Sequence, residues 1–492
     1  MKILMVTAEA APFAKSGGLA DMVSALSIAL RKAGHDVRIV LPRYYSIDRG
    51  RLTQLEGPLG LSAGQREVWT AVYATVMPGT EDLPVYFIDH EESFGRDGIY
   101  GSPAEPDFHD NPVRFSVLCN AAFQICHKLN WTPDIIHGHD WPTALAPVLL
   151  KFDRRAHGFE KTASVFTIHN LGYQGVYPKQ YYSFLGVNWE YFYDAGFEDW
   201  DHLNMLKAGL ASSDMLTTVS PAYAREITTP EGGFHMEGIL RRRQDRLAGI
   251  LNGVDTDIWN PAQDKHLAKK YSYKTPAEGK IVNKKTLQQL FSLEENETVP
   301  IIGIVTRLAD QKGIAELFGP AYGCMYRICT ELKVQVVVLG SGEPWCEQEL
   351  RALEHKLPNF RAFIGYDEVL SHRIEAGSDF FLMPSRYEPC GLNQMYSLLY
   401  GSLPIVRRTG GLADTVTQYN QETGEGTGFL FDYLSPQSVF DTVFWAVWTW
   451  YNKPKHIAVM RERGMKQQFG WDVAARKYAE VYEKALSVGA GH

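Results

Sequence analysis

The order of apolar runs and glycines in the first fifty residues constrains the fold more than any other feature of the sequence. An apolar run at 2–7 leads into Lys15-Ser-Gly-Gly, then into apolar residues at helical spacing up to Gly34, then into a second apolar run at 36–42. This order predicts a βαβ unit, which favours a parallel sheet with right-handed crossovers. Further strands are predicted at 134–137, 164–169 and 214–219.

The pattern stops near 254–261 and then begins again. Lysines dominate 265–285, which we interpret as a linker and a solvated helix. Apolar runs with few polar residues suit sheets that are covered by helices on both faces. Such strands are predicted at 300–306, 334–339, 380–384 and 403–406.

A chain of 492 residues can form two or three domains. The sequence predicts an α/β fold with two doubly wound domains. The first spans 1–258 and is completed by a C-terminal crossing helix at 471–492. The second spans 259–470, and a hinge is expected near Gly470. The stretch 95–111 is rich in Gly, Pro, Asp and Tyr and is predicted to be a long loop over the cleft.

Composition excludes several classes of protein. A formal net charge of −8, from 49 basic and 57 acidic residues, argues against a dominant surface for nucleic acid or an anionic membrane. No stretch approaches the ~20 apolar residues that span a bilayer, and the N-terminal apolar run is too short for a signal peptide. The six cysteines show no CxxC pair or zinc-like spacing. We therefore expect a cytoplasmic protein.

The string GGLAD occurs twice, at 17–21 and 410–414, and each copy has a basic residue upstream. These are Lys15 for the first copy and Arg407 with Arg408 for the second. A helix N-terminus carries unpaired N–H groups, and glycine lets a phosphate approach them. One copy alone would favour a simple tight turn. Two copies in matched contexts predict anion-binding turns that address one ligand from opposite walls.

Charged residues also gather at predicted strand ends in the second half. Arg307 and Lys312 follow the strand at 300–306, and Glu388 follows the strand at 380–384. Two cations and a helix N-terminus suit a leaving diphosphate, whose negative charge grows as its bond breaks. The alternative is a surface ion-pair network. Such a network would explain Arg307 alone or Lys312 alone, but it explains less well why both cations follow the same strand.

Several strings place these features in one known pattern. In chain order they are KSGGLAD, HGHDW, FTIHNLGYQG, LNGVD, TRLADQKG, PSRYEPCGLNQM and RRTGGLADTV. Together they resemble the bacterial glycogen synthase and plant starch synthase family, of the glycosyltransferase family 5 type, over nearly the whole chain. The resemblance implies a GT-B fold, in which two Rossmann-like domains face each other across a deep cleft. It also implies a retaining glucosyltransferase that uses a nucleoside-diphosphate glucose.

The resemblance implies roles for residues of the first domain. Lys15, with the glycines of the first GGLAD copy, would reach over the donor diphosphate and sugar. Asp140 and His169 would shape the glucosyl and acceptor side, and Asn252 would help to bind the sugar. The implied donor-binding or catalytic residues of this domain are Lys15, Gly17, Gly18, Asp21, Asp140, His169 and Asn252.

In the second domain, the resemblance implies that Arg307 and Lys312 neutralise the departing diphosphate. Glu388, with the backbone after Cys390, would hold the glucose hydroxyls, and Tyr366 would stack on the adenine. The second GGLAD copy would meet the diphosphate. The implied residues of this domain are Arg307, Lys312, Tyr366, Glu388, Cys390, Gly391, Leu392, Thr409, Gly410 and Gly411.

Some of these residues have structural alternatives. Cys390 could be a small packing residue, and His169 could be a buried, satisfied histidine. Asp140 could cap a helix that begins at Trp141 or Pro142. Four tryptophans suit either the core or a sugar platform, namely Trp131, Trp141, Trp189 and Trp259.

The predicted reaction transfers glucose from ADP-glucose to the non-reducing end of an α-1,4-glucan. A double displacement needs a carboxylate nucleophile beneath the sugar, and Asp140 is the only weak candidate at a strand end. A front-face route, in which the departing phosphate helps to take the acceptor's proton, is therefore preferred. No metal and no pyridoxal phosphate is expected, because Lys15, Arg307 and Lys312 would replace Mg²⁺.

Other functions stay open on the sequence alone, as do the oligomeric state, allosteric control and primer length. The enzymatic alternatives are a preference for UDP-glucose, another retaining GT-B activity such as sucrose or trehalose-type synthesis, and phosphorolysis. A non-catalytic glucan-binding protein is the alternative of another class. It is disfavoured because Lys15, Arg307, Lys312 and Glu388 are all present.

Overall fold

The computed structural model describes residues 1–64 and 66–489. Within these residues the chain forms two compact units. Unit 1 comprises residues 1–253 together with the chain from 471 onward, and unit 2 comprises residues 254–470. The division predicted between 258 and 259 lies a few residues later than this one. Of the predicted C-terminal helix, residues 490–492 lie outside the described residues.

Unit 1 is built on a mostly parallel sheet whose order is β13-β12-β8-β7-β1-β2-β6-β5-β3, with β4 paired to β5. Neighbours from β13 to β6 are parallel, while β5 pairs antiparallel with β3, β4 and β6. A small antiparallel sheet has the order β10-β11-β9. The strands are β1 Lys2–Val6, β2 Asp36–Pro42, β3 Thr53–Gln54, β4 Leu59–Ala63, β5 Arg66–Val76, β6 Pro84–Asp89, β7 Ile135–His139, β8 Ala163–Ile168, β9 Val176–Pro178, β10 Glu198–Asp199, β11 His202–Asn204, β12 Met215–Thr218 and β13 Leu247–Gly249.

Helices pack around this sheet. In chain order they are α1 Gly18–Lys32, α2 Glu91–Phe94, α3 Asn111–Lys128, α4 Leu145–Phe152, α5 Tyr191–Asp194, α6 Met205–Ser212, α7 Pro221–Glu226 and α8 Glu237–Arg242. Short 3-10 helices lie at Arg49–Arg51, Trp141–Thr143, Arg154–His157, Lys179–Phe184 and Gln244–Arg246. The C-terminal helix, Trp471–Gly489, packs on α1 and β8. Its Tyr482 hydroxyl lies 2.8 Å from His137 Nδ1 in β7.

The predicted βαβ unit at the N-terminus is confirmed. β1 pairs in parallel with β2, with Lys2 opposite Asp36, and α1 connects them. α1 buries an apolar face that includes Met22, Leu26 and Leu30, as the helical spacing of these residues requires. The strands predicted near 134, 164 and 214 also form, as β7, β8 and β12.

Unit 2 contains a parallel sheet with the order β16-β15-β14-β17-β18-β19. Its strands are β14 Ile301–Val305, β15 Gln335–Gly340, β16 Phe360–Ile364, β17 Phe380–Met383, β18 Leu403–Arg407 and β19 Phe429–Phe431. Its helices are α9 Pro276–Leu290, α10 Ile314–Phe318, α11 Met325–Glu331, α12 Pro344–Lys356, α13 Glu368–Gly377, α14 Asn393–Tyr400, α15 Gly410–Thr415, α16 Pro436–Asn452 and α17 Pro454–Met465, with a 3-10 helix at Asp310–Lys312.

Both faces of this second sheet are buried. Ile302 and Ile304 of β14 belong to one apolar core, and their neighbour Ile301 belongs to the core on the other face. Val336 and Val337 of β15 divide in the same way. Side chains alternate between the two faces of a strand, so a strand without polar residues contributes to both cores. The unit is therefore doubly wound, as predicted.

The prediction of a solvated helix in the lysine-rich segment is wrong for two of its lysines. Lys280 and Lys284 lie on α9 and are buried. Lys284 Nζ lies 2.8 Å from Asp379 Oδ2, and Lys280 Nζ donates to Ser402 Oγ at 2.9 Å and to the Ser378 carbonyl. Long lysine stems can lie along apolar surface while the ammonium reaches a buried partner, which composition does not reveal.

Among residues 1–64 and 66–489, no helix combines the length and apolar character that crossing a membrane requires.

Candidate active site

In unit 2 the predicted site residues lie at one edge of the sheet. Arg307 follows β14, Tyr366 follows β16, Glu388 follows β17 and Thr409 follows β18. The carboxyl ends of parallel strands meet at the same edge, where open α/β sheets bind ligands. Local strand prediction was therefore sufficient to bring Arg307, Glu388 and Thr409 to one region, whereas the strand that precedes Tyr366 was not predicted.

Lys312 and Glu388 form an ion pair at this edge. Lys312 Nζ lies 2.6 Å from Glu388 Oε2, and the Ser385 hydroxyl donates to the same oxygen at 2.8 Å. Both charged side chains are largely shielded from solvent, so the pair is only weakly screened. The sequence predicted both charges but not their direct contact, and it did not predict Ser385.

A cavity of about 170 Å³ adjoins this pair. Its polar lining includes Arg307, whose side chain is exposed and makes no hydrogen bond or ion pair with the described part of the chain. A guanidinium beside a buried ion pair at a sheet edge suits an anionic group that enters from solvent. The lining residues are Ile304–Arg307, Lys312, Leu317, Leu382–Ser385, Glu388 and Gly391–Asn393.

Backbone contacts hold the two loops of this site together. Arg386 N donates to the Gln311 carbonyl at 2.8 Å, and Gln311 Nε2 donates to the Tyr387 carbonyl at 3.2 Å. Gly313 has φ +70°, and a Cβ there would lie 2.2 Å from the Pro384 carbonyl oxygen. The Lys312 and Glu388 loops are thus fixed to each other, which preorganises the pair.

The second GGLAD copy packs against the Glu388 loop. Gly411 N donates to the Glu388 carbonyl at 3.1 Å. A Cβ on Gly410, where φ is +44°, would lie 1.9 Å from the same oxygen, and a Cβ on Gly411 would lie 1.8 Å from the Cys390 carbonyl oxygen. These glycines are therefore required for close packing of the chain on itself. Contact of Thr409, Gly410 and Gly411 with a diphosphate stays a prediction.

The arginines that precede this copy have protein partners. Arg408 Nε donates to Asp432 Oδ1 at 2.8 Å, and Arg407 donates to the backbone carbonyls of Asp432 and Arg386. Both arginines therefore have structural roles within the protein. Their predicted contribution of charge to a ligand site stays a prediction.

The segment after Glu388 is held by Gln394. Its Nε2 donates to the carbonyls of Cys390 and Gly391, each at 3.1 Å, and Gly391 has φ +69°. Cys390 is buried, as a packing residue would be. Leu392 immediately precedes α14 and is half-buried at the cavity.

Tyr366 lies in the loop between β16 and α13, where its side chain is 77% exposed. An exposed ring next to a sheet edge is accessible to a planar ligand. Its predicted stacking on adenine stays a prediction.

In unit 1 the predicted site residues also follow strand ends. Asp140 follows β7, His169 follows β8 and Asn252 follows β13. The structure adds Glu9, which follows β1 and is buried. Like Asp140, Glu9 is an acid shortly after a buried strand, and this position was a sequence signal for it.

Glu9 binds the first GGLAD turn. Its carboxylate accepts from Ser16 N, from Gly17 N at 3.3 Å and from the Ser16 hydroxyl at 2.7 Å. The Tyr100 hydroxyl, from the predicted loop at 95–111, donates to Glu9 Oε1 at 2.6 Å. An internal carboxylate therefore already occupies part of the anion site that the glycine turn predicted.

The rest of the first turn is exposed. A Cβ on Gly17 or Gly18 would meet no atom of the described chain within 4 Å. Lys15 Nζ lies 2.8 Å from both carboxylate oxygens of Asp21, with both side chains partly exposed. Asp21 thus orients Lys15, and the bare backbone of the two glycines is accessible.

Asp140 is buried and strained. Its φ of +54° is unusual for a residue other than glycine, and strain of this kind concentrates at functional sites. Asp140 Oδ1 accepts from His169 N at 2.7 Å. Burial, reinforced by the charge of Glu9, raises the pKa of Asp140 to about 7. Asp140 precedes the 3-10 helix at Trp141–Thr143, but its side chain makes no capping hydrogen bond, so the capping alternative is wrong.

His169 belongs to a row of histidines. His169 Nε2 lies 3.2 Å from His139 Nδ1, and the rings of His139 and His137 are 4.2 Å apart. Burial lowers the pKa of His137 and of His169 to about 3, and burial also lowers the pKa of His139 well below its usual range. These rings are therefore neutral at pH 7. His139 Nε2 is buried without a hydrogen-bond partner in the described chain.

Asn252 is buried, and its Oδ1 has no hydrogen-bond partner among residues 1–64 and 66–489. A buried, unpaired amide oxygen is costly unless a ligand or water satisfies it. This observation supports the predicted sugar contact.

The four tryptophans divide between the two alternatives. Trp131 and Trp141 are buried. Trp259 stacks between His372 and Tyr396, with ring centroids 3.8 Å apart on each side. Trp189 is 50% exposed and is the one of these four whose ring is open to a ligand.

Within the described ranges, no group of three or more His, Cys, Asp or Glu side chains has an arrangement that could hold a metal ion. The six cysteines are buried and free.

Family models match both units. The model described as the starch synthase catalytic domain matches residues 2–242, and the model described as glycosyl transferases group 1 matches residues 286–456. The chain is 61% identical over 486 residues to a glycogen synthase of Treponema denticola, with 99% of each chain covered. It is 44% identical over 494 residues to glycogen synthase 1 of Geobacter metallireducens, covering 99% of this chain and 96% of that one.

Two solved structures share the architecture. The catalytic domain of starch synthase IV from Arabidopsis thaliana, bound to ADP and acarbose, is similar with a TM-score of 0.88 and 33% identity over 99% of each chain. Sucrose-phosphate synthase from Thermosynechococcus elongatus has a TM-score of 0.59 at 16% identity, covering 99% of this chain and all of that one. The second likeness shows the fold alone, which is the predicted GT-B fold.

Proposed function

Because the chain belongs to the glycogen and starch synthase family and is therefore a glucosyltransferase, we propose that it transfers glucose from ADP-glucose to the 4-hydroxyl at the non-reducing end of an α-1,4-glucan, with retention of configuration. The largely shielded pair of Lys312 and Glu388, next to Arg307 at a sheet edge, carries the proposal. The similar starch synthase IV was solved bound to ADP and acarbose, which supports an adenine nucleotide as donor.

Unit 2 supplies the donor site in this proposal. Arg307 and Lys312 bind the diphosphate and stabilise the charge that grows on it as the glycosidic bond breaks. Glu388 accepts hydrogen bonds from glucose hydroxyls, and Tyr366 stacks on the adenine. The N–H groups before α15 complete the diphosphate site.

In this proposal, residues of unit 1 also bind the donor and position the acceptor. Lys15 and the open backbone of Gly17 and Gly18 bind the diphosphate and sugar, and Asn252 Oδ1 accepts from a sugar hydroxyl. Asp140 and neutral His169 shape the position of the glucosyl group and the acceptor.

The reaction proceeds by front-face displacement. The bond from the anomeric carbon to the diphosphate breaks, and the acceptor 4-oxygen forms its bond on the same face. The acceptor's proton passes to the departing phosphate oxygen. We prefer this route to double displacement, which needs a carboxylate nucleophile beneath the sugar, because Glu9 holds the first turn through both of its oxygens and burial raises the pKa of the other candidate, Asp140, to about 7.

We propose further that the reaction uses no metal ion and no pyridoxal phosphate, and that the protein acts in the cytoplasm. Arg307 and Lys312 supply the positive charge that a divalent cation would otherwise give. Rates measured with and without a chelator, and an absorbance scan of the purified protein for a Schiff base, test the two cofactor statements.

Initial rates with ADP-glucose and UDP-glucose, each with glycogen as acceptor, test the donor. Release of the nucleoside diphosphate is expected to be faster with ADP-glucose. An equal or faster rate with UDP-glucose would reverse the donor assignment. No release with either donor, from protein that still binds glycogen, would indicate the non-catalytic alternative.

A further inference from the structure

The buried histidine that precedes Asp140 has no role in the proposed reaction. His139 ends β7, and its side chain is buried. Its ring has two histidine neighbours, with ring centroids 4.2 Å away for His137 and 5.4 Å away for His169. His139 Nδ1 lies 3.2 Å from His169 Nε2, within hydrogen-bonding distance. His139 is therefore in direct contact with a residue of the candidate active site.

The position of the ring protons decides how this hydrogen bond is made. Burial lowers the pKa of both histidines, so each ring is neutral and has one N–H and one bare nitrogen. In the first arrangement, His139 Nδ1–H donates to His169 Nε2, and His169 carries its own proton on Nδ1. In the second arrangement, His169 Nε2–H donates to His139 Nδ1, and the proton of His139 lies on Nε2.

The surroundings of His139 Nε2 favour the first arrangement. This nitrogen is buried and has no hydrogen-bond partner among residues 1–64 and 66–489. The neighbouring His137 offers no acceptor, because its Nδ1 lies 2.8 Å from the Tyr482 hydroxyl and its Nε2 lies 2.6 Å from the Thr167 hydroxyl. An orphaned buried N–H is rarer in proteins than an unsatisfied acceptor. His139 Nε2 is therefore expected to be bare, with the proton on Nδ1.

His169 is held both at its backbone and at its ring. His169 N donates to Asp140 Oδ1 at 2.7 Å, while Nε2 contacts His139. The residue is half-buried, and its Nδ1 makes no hydrogen bond within the part of the chain that the structure describes. Nδ1 is therefore the ring nitrogen that remains available to a ligand.

We propose that His139 is a positioning residue for glucosyl transfer, which fixes His169 in the tautomer that carries its proton on Nδ1. The inference rests on the proposed function, because that function places His169 beside the glucosyl group and the acceptor. In this tautomer His169 presents an N–H donor to a substrate oxygen, whereas the other tautomer presents only a lone pair. A donor that is oriented in advance needs no reorganisation during the reaction.

Two substitutions of His139 in the full-length protein separate this role from packing. His139→Leu removes the donor and keeps a buried apolar side chain. His139→Asn keeps a donor, because the amide nitrogen of Asn is as far along the side chain as Nδ1 of histidine. His137→Asn is the matched control, since His137 is buried on the same strand and its ring nitrogens face Tyr482 and Thr167 rather than His169.

The readouts are kcat with ADP-glucose and glycogen, the melting temperature, and the nitrogen NMR shifts of the His169 ring. These shifts distinguish a protonated ring nitrogen from a bare one. Comparison with the spectrum of His169→Asn assigns the His169 signals among those of the 15 histidines.

We expect the wild type to carry the His169 proton on Nδ1. His139→Leu should lower kcat by about 10- to 100-fold, which is less than the loss of a donor that itself contacts the reacting group, and should move the proton at least partly to Nε2. His139→Asn should lower the melting temperature as His139→Leu does, yet keep the tautomer and a kcat within about threefold of the wild type. His137→Asn should keep both as well.

A His169 proton on Nε2 in the wild type would overturn the proposal, even if no variant folded. So would a kcat of His139→Leu within about threefold of the wild type. Equal losses of kcat in His139→Leu and His139→Asn would also overturn it, because they would indicate packing alone. Failure of the proposed function is separate, since the wild type would then transfer no glucose from ADP-glucose while the NMR shifts would still report the tautomer.

Discussion

The two copies of GGLAD have the same letters and different surroundings. In the first copy, a Cβ on Gly17 or Gly18 would meet no described atom within 4 Å. In the second, a Cβ on Gly410 or Gly411 would lie within 2 Å of a backbone carbonyl oxygen. The first pair of glycines is open to a ligand, and the second pair lets one loop pack on another.

The basic residues that precede the two copies also differ in their surroundings. Lys15 is exposed and pairs with Asp21 of its own turn. Arg408 pairs with Asp432, so in unit 2 the largely shielded cation of the site is Lys312, which comes from a different loop. Identical sequence therefore produces an exposed turn in one unit and a structural support for the Lys312 and Glu388 pair in the other.

Lys312→Ala should have the largest effect on activity. Lys312 is shielded from solvent and preorganised against Glu388, so its loss should lower kcat by about 10²- to 10³-fold. Lys15→Ala removes an exposed, better screened charge and should lower kcat less. Steady-state rates with ADP-glucose and glycogen measure both. If the Lys312 variant kept more than about a tenth of the wild-type kcat, the role of Lys312 would be refuted.

Gly411→Ala should have the largest effect on stability. Its Cβ would lie 1.8 Å from the Cys390 carbonyl oxygen, so the Glu388 loop must move. We expect a loss of about 1–3 kcal/mol in the free energy of unfolding, measured by urea unfolding. A variant as stable as the wild type would show that the close packing in unit 2 is not required.

Glu9→Gln tests the support of the first turn. The carboxylate accepts from Ser16 N and from the Tyr100 hydroxyl, whereas an amide nitrogen cannot accept these bonds. The variant should lose about 1–3 kcal/mol of stability. It should also show faster amide hydrogen exchange at residues 16 and 17. Unchanged exchange would indicate that another group holds the turn.

Asp140→Asn should reveal the raised pKa of Asp140. The folded pKa of about 7 lies above the ordinary 3.8, so the folded state binds this proton more tightly than the unfolded state. The contribution of Asp140 to stability is therefore lost as pH rises from about 4 to about 7. The wild type should become less stable relative to Asp140→Asn across this range, measured by urea unfolding. A pH-independent difference would show that the pKa of Asp140 is the same in the folded and unfolded states.

Gly18→Ala should have the smallest effect on stability. A Cβ there would meet nothing within 4 Å in the described chain, and Ala favours a helix start more than Gly does. The free energy of unfolding should change by less than about 0.5 kcal/mol, while the KM for the donor should rise because the backbone is covered. An unchanged KM would show that no ligand approaches this turn, and the contrast with Gly411→Ala would then lie in packing alone.

Much of the fold was predictable from the sequence, because strands and helices follow from local apolar patterns. Arg307 and Glu388 were found because they follow predicted strands, whereas Asp140 and His169 were named through the family resemblance. Glu9 was missed although the same rule applies to it. Ser385 directly follows the predicted strand at 380–384 and was missed as well, whereas the buried Lys280 carries no local pattern that separates it from surface lysines.

The sequence by itself determined that two parallel α/β sheets would form and that polar residues would follow their strands. Apolar periodicity and glycine turns act over a few residues, and the carboxyl ends of parallel strands must share an edge. Only the tertiary structure decided that Lys312 contacts Glu388, 76 residues away, and that Glu9 binds the first turn. It alone also decided that one pair of glycines is open and the other packed. Such contacts depend on how loops that are distant in sequence fold against one another. The local sequence of a turn does not determine them.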